Sequence, residues 1–546
     1  MTAPLLDIRG LSIALPKGAD RTYAVEDLNI TVNPGEITCV VGESGSGKSL
    51  TARAAMGLLP PKVETTAGEI MFEGRDLLKL TPNERRLMRA EKLSMIFQEP
   101  MTALNPLMTV GKQIDEVLTV HTKFSGRERR QKILDLFAEV QLPNPPRIMA
   151  AYPHQLSGGQ RQRAMIAMAL ILDPKILVAD EPTTALDVTT QAQILRLIRE
   201  LQERHGTGVM FITHDFGVVA EIADQIAVMQ YGKLVEVGSA EQILNAPRED
   251  YTKALIGAVP SLTPRAARSG FGRRMLTVEG LNKIYRSGGG LFGKGSSFHA
   301  AKDVSFTLDR GETLGIVGES GSGKTTVARC LVRLLQPDTG KIDLDGVDIA
   351  AMDRRALKPH RNRVQMVFQD PYASLNPRRK VADILVEGPI NLGKPARKAH
   401  ERARELLDLV GLDPRVAERY PHEFSGGQRQ RIGLARALAL EPEVLVADEP
   451  VSALDVSVQA QVLKLMEEIR ERLGLSMVFI THDLRVAAQV CDKIIVMQRG
   501  EVVEAGATAG VFAAPSHAYT RELFASIPGR EWSTSTEGPA AATAPA

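Results

Sequence analysis

Cysteine is scarce in this sequence: Cys39, Cys330 and Cys491 stand far apart, each among apolar neighbours, and no pair has metal-site spacing. They read as buried thiols of a reducing cytosol. An excess of one charge is also missing. Lys and Arg total 67 against 65 Asp and Glu, a formal charge of +2, which leaves no electrostatic footprint for nucleic acid or an anionic membrane. The local basic runs Arg127 to Arg130 and Arg354 to Arg363 read as solvated helix faces. Long apolar runs are absent too. The longest, Ala164 to Leu172, is far short of the roughly 20 residues that span a bilayer, so a membrane role requires partner chains. The segment Met1 to Asp7 lacks the basic and apolar regions of a signal peptide, and export is not expected.

What is present is length and a duplication. A chain of 546 residues suggests two to four domains at roughly 150 residues each. Gly42-Glu43-Ser44-Gly45-Ser46-Gly47-Lys48-Ser49 recurs as Gly318-Glu319-Ser320-Gly321-Ser322-Gly323-Lys324-Thr325. Phe97-Gln98-Glu99-Pro100 recurs as Phe368-Gln369-Asp370-Pro371, Ser157 to Arg163 as Ser425 to Arg431, Ala179 to Pro182 as Ala447 to Pro450, and Thr213-His214-Asp215 as Thr481-His482-Asp483. A repeat this long is a domain duplication, because each copy can bury a core of its own. We place the domains at residues 5–256 and 275–528, joined by a linker at 257–274 rich in Pro, Gly and basic residues and followed by a Ser, Thr, Ala and Pro tail at 529–546 that reads as disordered. A glycine-rich stretch, Ser287 to Ser297, reads as a loop within the second copy.

In each copy, compact apolar runs such as Glu36 to Val41, Lys175 to Ala179 and Val209 to Ile212 end at polar residues. Continuous apolar strands suit an α/β sheet covered on both faces. Between Gln98 and Ser157 the pattern turns helical, with Ile133, Phe137 and Val140 on one face, which predicts a helical subdomain inserted in the α/β core.

The glycine-rich loop after a strand and before a helix is a phosphate cradle. Gly42, Ser44, Gly45 and Gly47, like Gly318, Ser320, Gly321 and Gly323, let backbone N–H groups approach phosphate oxygens. Lys48 and Lys324 would reach the β and γ phosphates, and Ser49 and Thr325 would ligate magnesium. Asp180 and Asp448 close strands at the carboxyl edge of the sheet, where they would hold magnesium directly or through water. One residue on, Glu181 and Glu449 could each accept a proton from an attacking water. His214 and His482, again at strand ends, would orient water and γ-phosphate. Gln98 and Gln369 offer neutral amides that can coordinate magnesium and report nucleotide state to the helical insert. Ser157-Gly158-Gly159-Gln160 and Ser425-Gly426-Gly427-Gln428 open helices and make further anion sites.

With these segments in order, the chain resembles the ATP-binding cassette superfamily over residues 5–260 and 275–528, including the Ala-Leu-Asp turns at Ala185-Leu186-Asp187 and Ala453-Leu454-Asp455. The resemblance implies two tandem phosphate-loop cassettes, each with a mostly parallel core sheet, an antiparallel β subdomain and a helical signature subdomain. It also implies ATP hydrolysis with magnesium at both sites, Lys48 sharing a nucleotide with Ser425 and Lys324 with Ser157, within one chain or between two. Permease helices would dock near Gln98 to Val117 and Gln369 to Glu387. Tyr23 and either Phe298 or His299 are candidates for stacking on adenine. Thr102-Ala103-Leu104-Asn105-Pro106, Ser374-Leu375-Asn376-Pro377, Tyr251-Thr252 and Tyr519-Thr520 resemble the peptide and nickel importer branch. The first copy lacks the His and Pro of that branch's His-Pro-Tyr-Thr segment, the second reads His517-Ala518, and the cysteine cluster of an iron–sulfur centre is missing. The implied role is energising an importer of oligopeptides or dipeptides, peripheral at the cytoplasmic face of the inner membrane. Two integral membrane permeases, an extracytoplasmic solute-binding protein and no nucleic acid would be its partners. A tandem-cassette ATPase acting on ribosomes or nucleic acid is the alternative, although such proteins have long charged helical linkers or coiled-coil and zinc insertions.

Overall fold

A strand that is apolar at every residue needs cover on both faces, whereas one that alternates needs a core on one face only, and both kinds occur here. The computed structural model describes residues 3–99, 103–183, 186–286, 297–452 and 454–532. Thr102, Ala185 and Ala453 of the motifs above, the glycine-rich stretch 287–296 and the tail 533–546 lie outside the described residues. The chain forms two compact units, one running to Val259 and taking in the residues from Pro528, the other Pro260–Ile527.

The first unit begins with β1 (Leu6–Ala14), β2 (Tyr23–Val32) and β3 (Ile37–Val41), then α1 (Lys48–Ala55), β4 (Glu64–Phe72), β5 (Arg75–Asp76) and β6 (Leu93–Ile96). The helical insert holds α2 (Val110–His121), α3 (Gly126–Glu139) and α4 (Gly158–Leu170). After it come β7 (Ile176–Asp180), α5 (Val188–His205), β8 (Gly208–Ile212), α6 (Phe216–Ile222), β9 (Gln225–Gln230), β10 (Lys233–Ser239) and α7 (Asp250–Gly257). One sheet, in the order β2-β1-β4-β5, is antiparallel. The other, β10-β9-β3-β8-β7-β6, is parallel except at β9–β10.

Every residue of β3, β7 and β8 is buried. In β1 the buried residues are Leu6, Ile8, Leu11 and Ile13, with less buried residues between them. Ile8, Ile70 and Phe72 of the antiparallel sheet join Val40, Val178 and Met210 of the parallel one in a single core. In the insert, α3 turns Ile133 and Phe137 inward.

The second unit repeats this plan. Its elements are β11 (Arg274–Arg286), β12 (Ser297–Asp309), β13 (Thr313–Val317), α8 (Lys324–Leu331), β14 (Thr339–Leu344), β15 (Val347–Asp348) and β16 (Val364–Val367). An insert of α9 (Val381–Asn391), α10 (Ala396–Leu409) and α11 (Gly426–Leu438) follows. Next are β17 (Val444–Asp448), α12 (Val456–Leu473), β18 (Ser476–Thr481), α13 (Leu484–Val490), β19 (Lys493–Gln498), β20 (Glu501–Ala507) and α14 (Ala518–Ala525). The sheets run β12-β11-β14-β15 and β16-β17-β18-β13-β19-β20. No helix among the described residues is long and apolar enough to cross a membrane.

One difference between the units decides where the junction lies. In the first, Asp224 accepts the Ile37 amide at 2.8 Å and is paired with Arg199 of α5 at 3.1 Å. The residue of α12 corresponding to Arg199 is Glu467, and the cation arrives from the junction instead. Arg265 bridges Glu467 at 2.9 Å and Asp492 at 2.7 Å, Arg268 holds the same aspartate at 2.9 Å through Nε, and Asp492 also accepts the Thr313 amide at 2.8 Å. Gln489 adds bonds to the carbonyls of Ser261 and Thr263 at 3.0 and 2.9 Å. The junction is therefore fastened to the second unit. Past α14, Gly529 donates to Glu221 of α6 at 3.2 Å, and the missing side chain of Gly217 leaves room for the carbonyl of Pro528.

A second fastening closes each unit. Glu504 on β20 accepts the Ser516 and His517 amides at 2.7 and 3.0 Å and the Ser516 hydroxyl at 2.9 Å. Glu236 on β10 accepts the Arg248 and Glu249 amides at 2.8 and 3.2 Å. Burial pushes the Glu504 carboxyl up, but the neighbouring Thr520 hydroxyl, these amides and the Ser516 hydroxyl outweigh it and hold the carboxyl at about 2.

Asp492→Asn leaves Arg268 without a charged partner and Arg265 with Glu467 alone. Urea unfolding should show the second unit destabilised by about 2–4 kcal/mol, with faster tryptic cleavage at Arg265 and Arg268. Asp224→Asn, at a more exposed pair, should cost less. Because Glu504 titrates lower folded than unfolded, its contribution is full above its ordinary value of 4.5 and is lost as the pH falls toward about 2. The stability gap between the wild type and Glu504→Gln, measured by urea unfolding at stepped pH, should therefore narrow progressively across that window.

Candidate active site

Parallel register brings the strand ends to one edge. Ile96 of β6 is level with Ala179, Asp180 with Ile212, and Val40 of β3 with Ile212. The residues that follow these strands, Gln98, Glu181, His214 and the loop from Gly42, therefore start from one line.

Two glycines of each loop are required by space. Gly42 has φ of +147° and Gly318 +148°, and a Cβ on either would lie 2.1 or 2.3 Å from the carbonyl oxygen of Met229 or Met497. Gly47 and Gly323 cap α1 and α8 without a side-chain acceptor for the first-turn amides, and a Cβ there would meet the carbonyl oxygens of Ala24 and Ala300. Ser44, Gly45, Ser320 and Gly321 form exposed tips, and Arg21 donates to the Gly45 carbonyl. Inside the loop, buried Lys48 donates to the carbonyls of Gly42 and Glu43 at 2.7 and 2.8 Å, and Lys324 does the same to Gly318 and Glu319 at 2.7 and 2.8 Å. Buried Ser322 Oγ has no hydrogen-bond partner among the described residues. A buried ammonium, uncapped amides and an orphaned hydroxyl around a glycine-shaped hollow fit a phosphate chain.

Ser49 Oγ donates to Asp180 at 2.8 Å and Thr325 Oγ1 to Asp448 at 3.2 Å. Burial raises the Asp180 carboxyl, and burial together with the Glu449 charge pushes Asp448 up to about 6. Glu181 and Glu449, both at φ of +46°, occupy the left-handed region that side chains other than glycine seldom adopt. Their amides donate to the carbonyls of Ile212 and Ile480 at 3.0 and 2.9 Å. Each carboxylate is held from two sides: Gln98 Nε2 donates to Glu181 at 2.9 Å with His214 Nδ1 at 3.3 Å, and Gln369 Nε2 donates to Glu449 at 2.9 Å with His482 Nδ1 at 3.1 Å. Burial opposes ionisation of Glu449 and His482, yet their pairing prevails, lowering the carboxyl and raising the imidazole. The glutamine amides, read from sequence as metal donors, here grip the glutamate.

The signature segments stand apart from this cluster, at the start of the insert's last helix. Ser157 caps α4, accepting the Gln160 amide at 3.3 Å while its own amide donates to Gln160 Oε1 at 3.1 Å, and Ser425 and Gln428 repeat both bonds on α11. A Cβ on Gly159 or Gly427 would strike Thr190 or Val458 of the next helix, at 2.9 and 2.4 Å. Gly158 faces open space and Gly426 meets only Leu454. Close helix packing thus explains the second glycine of each pair, and the first keeps a helix N-terminus bare.

Two comparisons bear on this geometry. The sequence pattern of the ABC transporter family matches residues 25–184 and 301–452. The chain belongs to that family. A second pattern, the C-terminal region of oligopeptide and dipeptide transporters, matches residues 235–284 and 503–544. Among curated relatives, the chain is 46% identical over 531 residues to a peptidoglycan transport ATP-binding protein, YejF, of Agrobacterium fabrum, covering 96% of each. It is 44% identical to the glutathione import ATP-binding protein GsiA of Salmonella choleraesuis, over 96% of this chain and 89% of that one. It is also 44% identical to an ABC transporter ATP-binding protein, YejF, of Escherichia coli K12, over 96% and 100%. This ABC protein is an ATPase subunit that drives a membrane transporter.

Of the residues read as candidates for stacking on adenine, Tyr23 is 37% and Phe298 60% exposed, while His299 Nε2 lies 3.0 Å from Asn282 Oδ1. Sequence reasoning passed over Gln162, whose amide reaches the Pro182 carbonyl just after Glu181. Its place in the repeated Ser-Gly-Gly-Gln-Arg-Gln-Arg run was the available signal.

Because the loops leave no volume for a Cβ, Gly42→Ala and Gly318→Ala should each weaken ADP binding at their own site tenfold or more. Titration with a fluorescent ADP analogue, on a protein whose other site carries a Lys→Ala change, reads each site separately.

Proposed function

We propose that each unit of this ABC ATPase binds and cleaves one ATP, and that the cycle drives import of peptide-like solutes through two permeases. The observation that carries the reading is the twofold grip on Glu181 and Glu449, which joins the glutamine loop, the strand-end acid and the histidine into one device in each unit. Lys48 and Lys324 bind the β and γ phosphates. Ser49 with Asp180, and Thr325 with Asp448, offer the hard oxygen donors that magnesium accepts beside substrate phosphates, with the Gln98 and Gln369 amide oxygens completing the sets. When bound, magnesium neutralises charge on the β and γ oxygens. Glu181 or Glu449 aligns a water and takes its proton as the water oxygen bonds to the γ-phosphorus. The bond to the bridging oxygen breaks, and ADP leaves with that electron pair. His214 and His482 hold the glutamate and γ-phosphate in line. Ser157 to Gln160 and Ser425 to Gln428 supply further helix-end amides for the nucleotide.

The coupling surface lies beside the glutamine. In the second unit a cavity of about 740 Å³ is lined by Phe368, Gln369, Ile384, Leu385, Glu387 and Arg436, and a short helix of a permease fits there. Loss or gain of γ-phosphate is felt at Glu449 and passes through Gln369 to this wall. The match to the oligopeptide and dipeptide transporter region and the glutathione import relative support peptide-like cargo. The protein then works at the cytoplasmic face of the inner membrane, with a solute-binding protein on the far side.

Replacing both glutamates, Glu181→Gln with Glu449→Gln, should cut ATP turnover by about 10²-fold or more while ATP stays bound. Purified with its membrane in mild detergent, ATP and magnesium, the tagged double variant should bring down two integral membrane permeases in mass spectrometry. Ribosomal proteins or nucleic acid in their place would sink the transport reading.

A further inference from the structure

The C-terminal segment of each unit reaches back to the phosphate loop. Tyr251, the second residue of α7, accepts the Glu43 amide on its hydroxyl at 3.3 Å, and Tyr519, the second residue of α14, accepts the Glu319 amide at 3.1 Å. These amides belong to the first peptide group of each loop, Gly42–Glu43 and Gly318–Glu319. The carbonyl of that same group accepts the ammonium of Lys48 or Lys324 at 2.7 Å. A peptide group is planar, so holding its N–H also aims its C=O. The glycine at φ near +147° in front of it has the freedom to let the plane turn over. When the lysine swings to a phosphate, the carbonyl loses its partner, and the tyrosine still holds the plane.

The tyrosine is itself fixed in place. Glu236 and Glu504 tie the backbone just before each helix to the edge strand. Thr252 and Thr520, next to the tyrosines, are fully buried, and Tyr519 is 5% exposed. The same chain of contacts occurs in both units, although their segments read Glu249-Asp250-Tyr251-Thr252 and His517-Ala518-Tyr519-Thr520. The histidine and proline positions differ between the copies, and the tyrosine hydroxyl does the same work in each.

We propose that Tyr251 and Tyr519 are positioning residues of the phosphate loops, through which the C-terminal segment of each unit sets nucleotide affinity. The proposal deepens the reading of these loops as nucleotide sites and rests on it. Removing one neutral hydrogen bond at each loop predicts a two- to tenfold loss of affinity.

The test uses the full-length protein carrying Tyr251→Phe, Tyr519→Phe or both. The expected result is a two- to tenfold rise in KM for ATP and in Kd for ADP, with kcat within twofold of wild type and the thermal midpoint held. Without nucleotide, amide exchange across residues 318–323 should quicken in Tyr519→Phe. Glu504→Gln, which weakens the tie between the segment and the edge strand, should shift KM the same way by loosening the segment. Unchanged KM, Kd and loop exchange in the tyrosine variants would overturn the proposal, as would a fall in kcat that tracks lost thermal stability. Wild-type protein that binds no ADP at all would instead overturn the nucleotide-site reading beneath it.

Discussion

Parallel pairing of β3 with β8 and of β8 with β7 is the constraint on which the rest depends. Strands in parallel register end together, so loops far apart in sequence leave the sheet side by side. Phosphate loop, acid pair and histidine meet for that reason, and the same pairing among β13, β18 and β17 repeats the meeting in the second unit. Burial of every side chain on these strands fixes the register, because a slip of one residue would exchange faces along the strand and displace the packing above and below. The chemistry is therefore paid for by apolar residues that never touch it.

At the site itself, two opposing demands are reconciled. Magnesium and phosphate chemistry needs charged oxygen at the sheet edge, and the sheet edge is poorly hydrated. Asp448 bears the cost openly, its carboxyl held up to about 6 by burial and the adjacent charge. Glu449 escapes it by gaining an imidazole and an amide. Two adjacent buried carboxylates thus come to differ in proton affinity, one raised by burial and its neighbour's charge and the other lowered by its partners, which separates a residue suited to a cation from one suited to a water.

Much of this was legible in the sequence. Unbroken apolar runs ending in Gly42, Asp180 and Thr213 announced buried parallel strands, and the duplicated motifs announced two units. The antiparallel sheet was expected from the resemblance alone; the series Leu6, Ile8, Leu11, Ile13 is its signal in the sequence, but a bulge between Ile8 and Leu11 breaks the period. The left-handed backbone at Glu181 and Glu449 left no trace in residue type, since glutamate is not chosen for such φ values. The arginines of the junction stood in the sequence only as the basic residues of a linker. Their target becomes visible only when the copies are laid side by side and Arg199 is found opposite Glu467. The tyrosine hydroxyls were equally hidden, because a contact 208 residues away has no local pattern.

The junction's fastening also has a consequence in time. The ion pair of the first unit links residues 25 positions apart, whereas Arg268 and Asp492 are separated by 224. A ribosome adding about 5–20 residues per second therefore leaves the junction without its anchor for roughly 10–45 s after it emerges. Throughout that interval the leading cassette already has every residue of its parallel sheet, and a loose tether lets it fold without pulling on the unfinished chain behind it. The anchor closes only when the trailing cassette reaches the residue before its own β19, so a single aspartate sets how long the junction stays untethered.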